Sequence, residues 1–276
     1  MNINWYPGHI AKAEKALKAN INLTDVIIEV VDARIPFSSL YPDVKRLTGE
    51  KPRLILLNKS DLSDTTKNDK NAAEIEKLTG CKVLKTVASS NKDINKITNK
   101  LTELAKPAIE KLTAKGLLPR PARAMVIGMP NVGKSSIINK LIGKGKTKTG
   151  AKAGVTRQQQ WVRINPKLDF LDTPGIIPVK QVSQAVAIRL AFVNSIGENA
   201  YENEFVAREF LKIVSGLYPG LIEEKFGFED GEQITLESVA VKLNRVVKNG
   251  EPDIKVAAQN ILHEFRNGKF GRLTLD

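Results

Sequence analysis

Cysteine is nearly missing: Cys81 stands alone in 276 residues, and one thiol cannot close an internal disulfide. The fold is expected to hold without covalent staples, in a reducing compartment. Histidine is almost as scarce, with only His9 and His263, so a zinc site of His and Cys ligands cannot be assembled. With no partner cluster nearby in sequence, Cys81 and His263 read as packing residues. Aromatic residues make up 5%, which leaves the core to Val, Ile and Leu. Nowhere do roughly 18 apolar residues run together, which excludes a spanning helix. The first residues show neither a basic stretch ahead of an apolar run nor the Arg/Ser-rich character of a transit peptide. A cytoplasmic protein without a membrane partner is expected.

Positive charge, by contrast, is plentiful. Forty-three Lys and Arg against thirty Asp and Glu give a net +13, which points to a polyanionic partner such as nucleic acid. The excess is uneven: residues 96–152 hold thirteen basic and two acidic residues, residues 179–276 twelve against fourteen. Lysines that line a nucleotide pocket or solvate helix surfaces would produce the same excess. Hydrophobic content of 42% and charged content of 26% are those of a globular chain, long enough for about two domains.

Residues 9–19 have helical spacing, and DVIIEVV at 25–31 then reads as a buried strand ending at Asp32. Further β-type runs follow at 53–57 and 82–88, with helical segments between them. A helix over 94–115 gives way to GLLPRPAR, whose Gly116, Pro119 and Pro121 end it and mark an internal connector. Strand AMVIG, helix SSIINKLIG and strands WVRI and LDFL continue the same sheet. Strands alternating with helices imply a mostly parallel α/β sheet. After Pro178 the β pattern stops, and helices are expected at 182–196, 204–215, 235–248 and 253–267, the last with Asp253 as N-cap and Gly268 past its end.

Gly128-Met129-Pro130-Asn131-Val132-Gly133-Lys134-Ser135 fits GxxxxGK[ST] between a strand and a helix. In this pattern backbone N–H groups of residues 131–135, including Asn131, Val132 and Gly133, point at phosphates. Lys134 reaches the β- and γ-phosphates, the Ser135 hydroxyl meets Mg²⁺, and Ser136 approaches the α-phosphate. Asp172-Thr173-Pro174-Gly175 follows a strand, where its carboxylate can serve Mg²⁺ and the Gly175 N–H the γ-phosphate. Thr156, in AGVT, is the candidate to join Mg²⁺ once a γ-phosphate is present. Asn58-Lys59-Ser60-Asp61 names the base. Guanine offers two adjacent N–H donors that the Asp61 carboxylate can accept together, Asn58 can bond the base and brace the phosphate loop, and the Lys59 stem can lie along the purine face. In Val87-Ala88-Ser89-Ser90, either Ala88 or Ser89 offers its N–H to the base carbonyl.

Together these motifs resemble GTP-binding proteins of the phosphate-loop class, but the order is NKSD, VASS, GMPNVGKS, GVT, DTPG, a circular permutation. A compact sheet with neighbouring ends tolerates that rearrangement. The order, with WYPGH at 5–9, VDARIP at 31–36 and AAQNILHEFRNGKFGR at 257–272, closely resembles the YlqF/RbgA family of ribosome biogenesis GTPases. The resemblance implies an α/β fold: a circularly permuted phosphate-loop GTPase sheet with helices on both faces over residues 1–178, then an all-α, RNA-contacting domain over 179–276. It also implies GTP and GDP as ligands, and as partners the precursor of the large ribosomal subunit with its rRNA and ribosomal proteins. A monomer is expected. A permuted GTPase of the small subunit is disfavoured, since about 24 residues leave no room for a barrel ahead of the first strand.

Ras-like proteins orient the attacking water with a glutamine directly after the DxxG glycine. Ile176 stands there and cannot do so, so slow unaided hydrolysis is expected. The resemblance makes His9 the proposed substitute. Asn131 resembles the residue that in potassium-dependent GTPases helps hold a monovalent cation beside the β- and γ-phosphates, a charge in the place of an arginine finger. Because Asp172–Ile177 leads straight into the helical domain, the switch is expected to govern that domain's position. The alternative function is a nucleotide-gated rRNA-binding module with incidental turnover.

Overall fold

Five of the seven residues in Val26–Asp32 (β1) are branched and apolar, and every side chain of this strand is buried. A strand hidden on both faces belongs in the middle of a sheet covered on each side, and β1 lies there. A computed structural model describes residues 3, 18, 20–42, 44–88, 90–144, 161–171, 182–247 and 251–276. β1 pairs in parallel with β2 (Arg53–Asn58) on one side and β4 (Ala122–Ile127) on the other. β3 (Lys82–Thr86) lies beyond β2, and β6 (Leu168–Leu171) beyond β4, both parallel. β5 (Trp161–Asn165) completes that edge antiparallel to β6.

The order β3-β2-β1-β4-β6-β5 means that the chain runs outward from β1, returns, and starts outward again from β4. The return is made by a 24-residue helix, Asn91–Ala114, which packs across β1, β2, β4 and β6. Gly116, at φ +80°, turns the chain after it. The connector is then pinned to the foot of β1: both terminal nitrogens of Arg120 reach the Asp25 carboxylate (2.7 and 2.9 Å), and the Asp25 N–H donates to Arg123 O (2.7 Å). GLLPRPAR is therefore a crossover within one sheet, as its sequence context suggested. The strand order reverses between β1 and β4, and in open α/β sheets ligands sit beyond the carboxyl ends at such a point.

Below that crevice the sheet is dry. Ile27 packs with Leu47, Met125, Ile127 and Leu171, and Val31 with Ile55, Leu57 and Ile75. Each such side chain taken from water is worth about 1.5–3 kcal/mol. Helix α1 (Val44–Thr48) precedes β2, and α2 (Thr65–Thr79) joins β2 to β3, capped by the Asp64 carboxylate on Thr66 N–H (3.0 Å) and ended by Gly80 at φ +68°. Asn91–Ala114 is α3, and α4 (Lys134–Lys144) follows the phosphate loop.

A second compact unit comprises residues 181–276 and Ile3, whose N–H and carbonyl pair with the Gln184 amide (3.0 and 3.3 Å). It consists of α5 (Gln184–Phe192), α6 (Asn203–Leu217), α7 (Leu221–Phe226), α8 (Leu236–Lys242) and α9 (Ile254–Arg266), with a 3-10 turn at Glu198–Ala200. Phe210 is its hub, with ring centroids of Phe192, Phe265 and Phe270 at 5.4, 4.9 and 5.1 Å. Arg266 donates to the carbonyls of Ala191 and Phe192 (3.0 and 3.1 Å), at the end of α5, where carbonyls lack the usual i+4 donors. Asp253 caps α9 through Val256 N–H (3.0 Å) and Gly268 turns away at φ +75°, as expected.

Two helices are shorter than expected. The one expected at 182–196 ends at Phe192, and the one at 235–248 ends at Lys242. In each an asparagine past the end, Asn194 (φ +58°) or Asn244 (φ +52°), takes the left-handed conformation that its side chain tolerates. Val246 and Val247 kept the apolar spacing going in sequence, but they are about half exposed, and Val246 bridges to Pro252 instead. Of the helix expected at 9–19, Lys18 alone is described. Among the described residues no helix is long and apolar enough to cross a membrane.

Candidate nucleotide-binding site

The strand register brings the site residues level. Asp32 pairs with Asn58, and Asn58 with Thr86, so β1, β2 and β3 end side by side. β4 stops earlier, its last residue Ile127 opposite Glu29. The chain leaves the sheet at Gly128, whose φ is +141° and where a Cβ would stand 2.4 Å from Val30 O. Only glycine passes so close to a neighbouring backbone. The next residues therefore fold beside the carboxyl end of β1.

Lys134 closes this loop on itself, its ammonium donating to Gly128 O (2.8 Å) and to Met129 O. The side chain is buried, and burial pulls its pKa from 10.5 down to about 8. A hidden ammonium with carbonyl partners, inside a loop where Gly128 and Gly133 leave no room for side chains, fits a phosphate group. The helical hydrogen bond from Ile137 N–H to Gly133 O (3.0 Å) starts α4 at this loop, so the positive end of the helix faces the same place. Ser135 and Ser136 are exposed at that end.

The turn at residues 59–61 hangs from the end of β3: Ser60 donates to Thr86 O through both N–H (3.2 Å) and Oγ (3.0 Å). Asp61 is left exposed at the tip. Two side chains then cross to the phosphate loop. Asn58, fully buried, donates from Nδ2 to Val132 O (2.8 Å) and accepts from Thr86 Oγ1 (3.5 Å). Lys59 donates to Asn131 O (2.6 Å) and to Asp32 Oδ2 (2.8 Å). Gly133 is required here too, at φ +101°, since a Cβ would stand 2.2 Å from Asn58 Nδ2. Burial lowers the Lys59 pKa, against the pull of Asp32.

The structure thus joins Asn58 to Val132 and Lys59 to Asn131 by direct hydrogen bonds, with Gly133 close against Asn58, Lys134 folded back on Gly128 and Met129, Ser135 and Ser136 following on α4, and Asp61 two residues after Lys59. Ala88 is half-buried in the turn closed by Ser90 N–H on Val87 O (2.8 Å). His9, Ser89, Thr156, Asp172, Gly175 and Ile176 lie outside the described residues. Among the described residues no three His, Cys, Asp or Glu side chains gather to hold a metal. Of the proposed Mg²⁺ ligands Ser135 is described, and the proposed potassium ligand Asn131 sits exposed at φ +58°. Motif reading gave no role to Asp32 and Arg34, although both stand in VDARIP, nor to Thr86. The available signal was an acidic residue closing a largely apolar strand, with an arginine two positions on.

A switch-point crevice, a glycine loop closed by a lysine, and an Asn-Lys-Ser-Asp turn bonded to that loop define a phosphate-loop GTPase, here with the turn first and the loop second. A family model described as 50S ribosome-binding GTPase matches residues 123–214, and one described as ferrous iron transport protein B matches residues 11–101. The two matches take the loop and the turn separately, as the permuted order leads one to expect. Ribosome biogenesis GTPase A of Bacillus cereus is 35% identical over 100% of this chain and 94% of its own. The solved structures of YlqF with GDP bound, and of Thermotoga maritima YlqF with GNP bound, each have 29% identity and a TM-score of 0.67. They cover 95% and 96% of this chain, and 98% and 97% of their own. The chain belongs to the YlqF/RbgA family of ribosome biogenesis GTPases, and it is a GTP-binding protein of ribosome biogenesis.

Proposed function

We propose that this GTPase is a timer in late assembly of the large ribosomal subunit: it holds a precursor particle through rRNA and ribosomal proteins while GTP is bound, and leaves after hydrolysis. The observation that carries the reading is the bond from Lys59 to Asn131 O (2.6 Å), which makes one pocket of a guanine turn and a phosphate loop. Resemblance to a 50S ribosome-binding GTPase supports the choice of subunit. The net charge of +13 suits an RNA partner.

In this reading Asp61 accepts the two guanine N–H donors, Asn58 and the Lys59 stem flank the base, and Ala88 or Ser89 donates to its carbonyl. Lys134 meets the β- and γ-phosphates, with the N–H groups of residues 131–135 around them and Ser136 near the α-phosphate. Ser135, Thr156 and Asp172 would hold Mg²⁺, and Asn131 K⁺; these ions supply charge neutralisation where negative charge builds up. Gly175 follows the γ-phosphate. Ile176 cannot align water, so His9 does so on the particle, and turnover is slow without it. Residues 1–178 act as the GTPase domain and 179–276 as the RNA-contacting domain of a cytoplasmic monomer.

The test is phosphate release from GTP in potassium buffer with large subunits, small subunits or neither. Stimulation by large subunits alone, lost when sodium replaces potassium, is expected. Nucleotide binding without stimulation by either subunit would favour a nucleotide-gated rRNA-binding module, the reading that Ile176 also suits.

A further inference from the structure

We infer that Asp32, at the carboxyl end of β1, is a positioning residue for the nucleotide: clamped by Arg34, its carboxylate holds the Lys59 ammonium against the Asn131 carbonyl and so ties the guanine turn to the phosphate loop. The inference rests on the reading that this pocket takes GTP and GDP.

The carboxylate is held on two sides. Arg34 donates Nε to Oδ1 (2.9 Å), Nη2 to Oδ2 (2.8 Å) and its backbone N–H to Oδ1 (3.1 Å). Ser39 Oγ accepts from the Asp32 N–H (2.9 Å). A carboxylate gripped through both oxygens cannot swing, so its remaining bond, from Lys59 to Oδ2 at 2.8 Å, has a fixed origin. The same ammonium reaches Asn131 O at 2.6 Å. Asp32 therefore stands one hydrogen bond from the guanine turn and two from the phosphate loop.

Two observations say that this placement serves more than packing. Asp32 and Arg34 are fully buried, with side chains 0% and 1% exposed, and a buried ion pair rarely adds net stability over apolar side chains of the same volume. Retaining the charges makes sense where they fix a third group, and Lys59 is that group. Secondly, Lys59 and Asn131 have φ of +59° and +58°, two of the four described non-glycine residues in the left-handed region. Such conformations persist where surrounding structure over-determines them, and they gather at functional sites. Here one bond joins the two. Burial would raise the Asp32 carboxyl, but Arg34 and Lys59 together hold it far below the usual carboxylate range. It stays charged at any working pH, and the neutral amide is the informative replacement.

GDP titrated into Asp32→Asn, Lys59→Ala and the double variant gives a cycle. Asp32→Asn alone is expected to weaken GDP binding by about 10- to 100-fold, the scale of a hydrogen bond to a charged group. In the Lys59→Ala background it should change affinity by less than about threefold, because Asp32 acts through Lys59. A merely structural residue would give effects that multiply, and multiplication overturns the proposal. Asp32→Asn leaves Arg34 buried without its anion, so Asp32→Asn with Arg34→Met, which removes both charges, is tested beside it by melting and by GDP titration. Loss of affinity with the melting temperature retained supports the proposal, and wild-type affinity refutes it. Lys59→Met keeps the stem but loses both bonds, and tight GDP binding by that variant also refutes it, however the Asp32 variants fold. If the unaltered protein prefers ADP to GDP, the reading of the pocket fails first.

Discussion

Gly133→Ala isolates the contact on which the pocket depends. The new Cβ would stand 2.2 Å from Asn58 Nδ2, on a backbone with φ +101°. Holding an alanine in that left-handed region costs about 1–2 kcal/mol. Pushing Asn58 away costs its bond to Val132 O, 2.8 Å long and fully buried, and a stranded buried amide costs about 1–3 kcal/mol more. The total is roughly 2–5 kcal/mol, or roughly 30-fold to a few thousand-fold at 1.4 kcal/mol per decade. If the free loop shifts to avoid the methyl group, the cost appears as weaker GDP binding. If it does not, the cost appears as a lower melting temperature. Calorimetric titration with GDP and a melt without nucleotide read the two together. Gly143, in α4 with nothing within 4 Å of its added Cβ, is the control, and Ala there should stabilise the helix by up to about 1 kcal/mol. Unchanged affinity and unchanged melting in Gly133→Ala would refute the reasoning.

GDP binding should weaken as pH rises through 8, towards about tenfold per unit, because the free protein's Lys134 gives up its proton at about pH 8 while phosphates retain it; equal affinities at pH 7 and 9 would count against a buried phosphate-binding lysine. Without nucleotide the sign reverses. Between about 8 and the ordinary 10.5 the unfolded chain binds more protons at this lysine than the folded one, so its contribution to stability rises with pH in that window. Asp61→Asn should exchange guanine for xanthine, since an amide N–H can donate to the carbonyl that xanthine carries where guanine has its amine; competition between GDP and xanthosine diphosphate reads this, and retained preference for GDP would remove Asp61 from base recognition. His9→Ala should lower subunit-stimulated phosphate release about tenfold or more with GTP affinity little changed, and unchanged stimulated release would take His9 out of the mechanism.

The sequence was most informative where a motif depends on local geometry. The phosphate loop could be read from Gly128, Gly133, Lys134 and Ser135 because a strand, a tight glycine turn and a helix N-terminus all lie within a few residues of each other. Helix ends set by glycine or aspartate, such as Gly268 and Asp253, were readable for the same reason. Asn194 and Asn244 were harder, because an asparagine inside an apolar repeat gives no sign that it will turn left-handed and end the helix.

Hydrophobic patterning fixed the α/β class, and the motif order fixed the permutation, both being properties of the chain taken linearly. Which strands became neighbours was decided only on folding. The return through α3 set β4 against β1, put the loop of residues 128–134 beside a turn about 70 positions earlier, and made Lys59 to Asn131 O and Asn58 to Val132 O contacts at 2.6 and 2.8 Å. VDARIP placed Asp32 within the family resemblance but said nothing of what it does. Its role comes from register, which aligns it with Asn58 across β1 and β2, and from burial, which makes a charge depend on its ionic partners, Arg34 and Lys59.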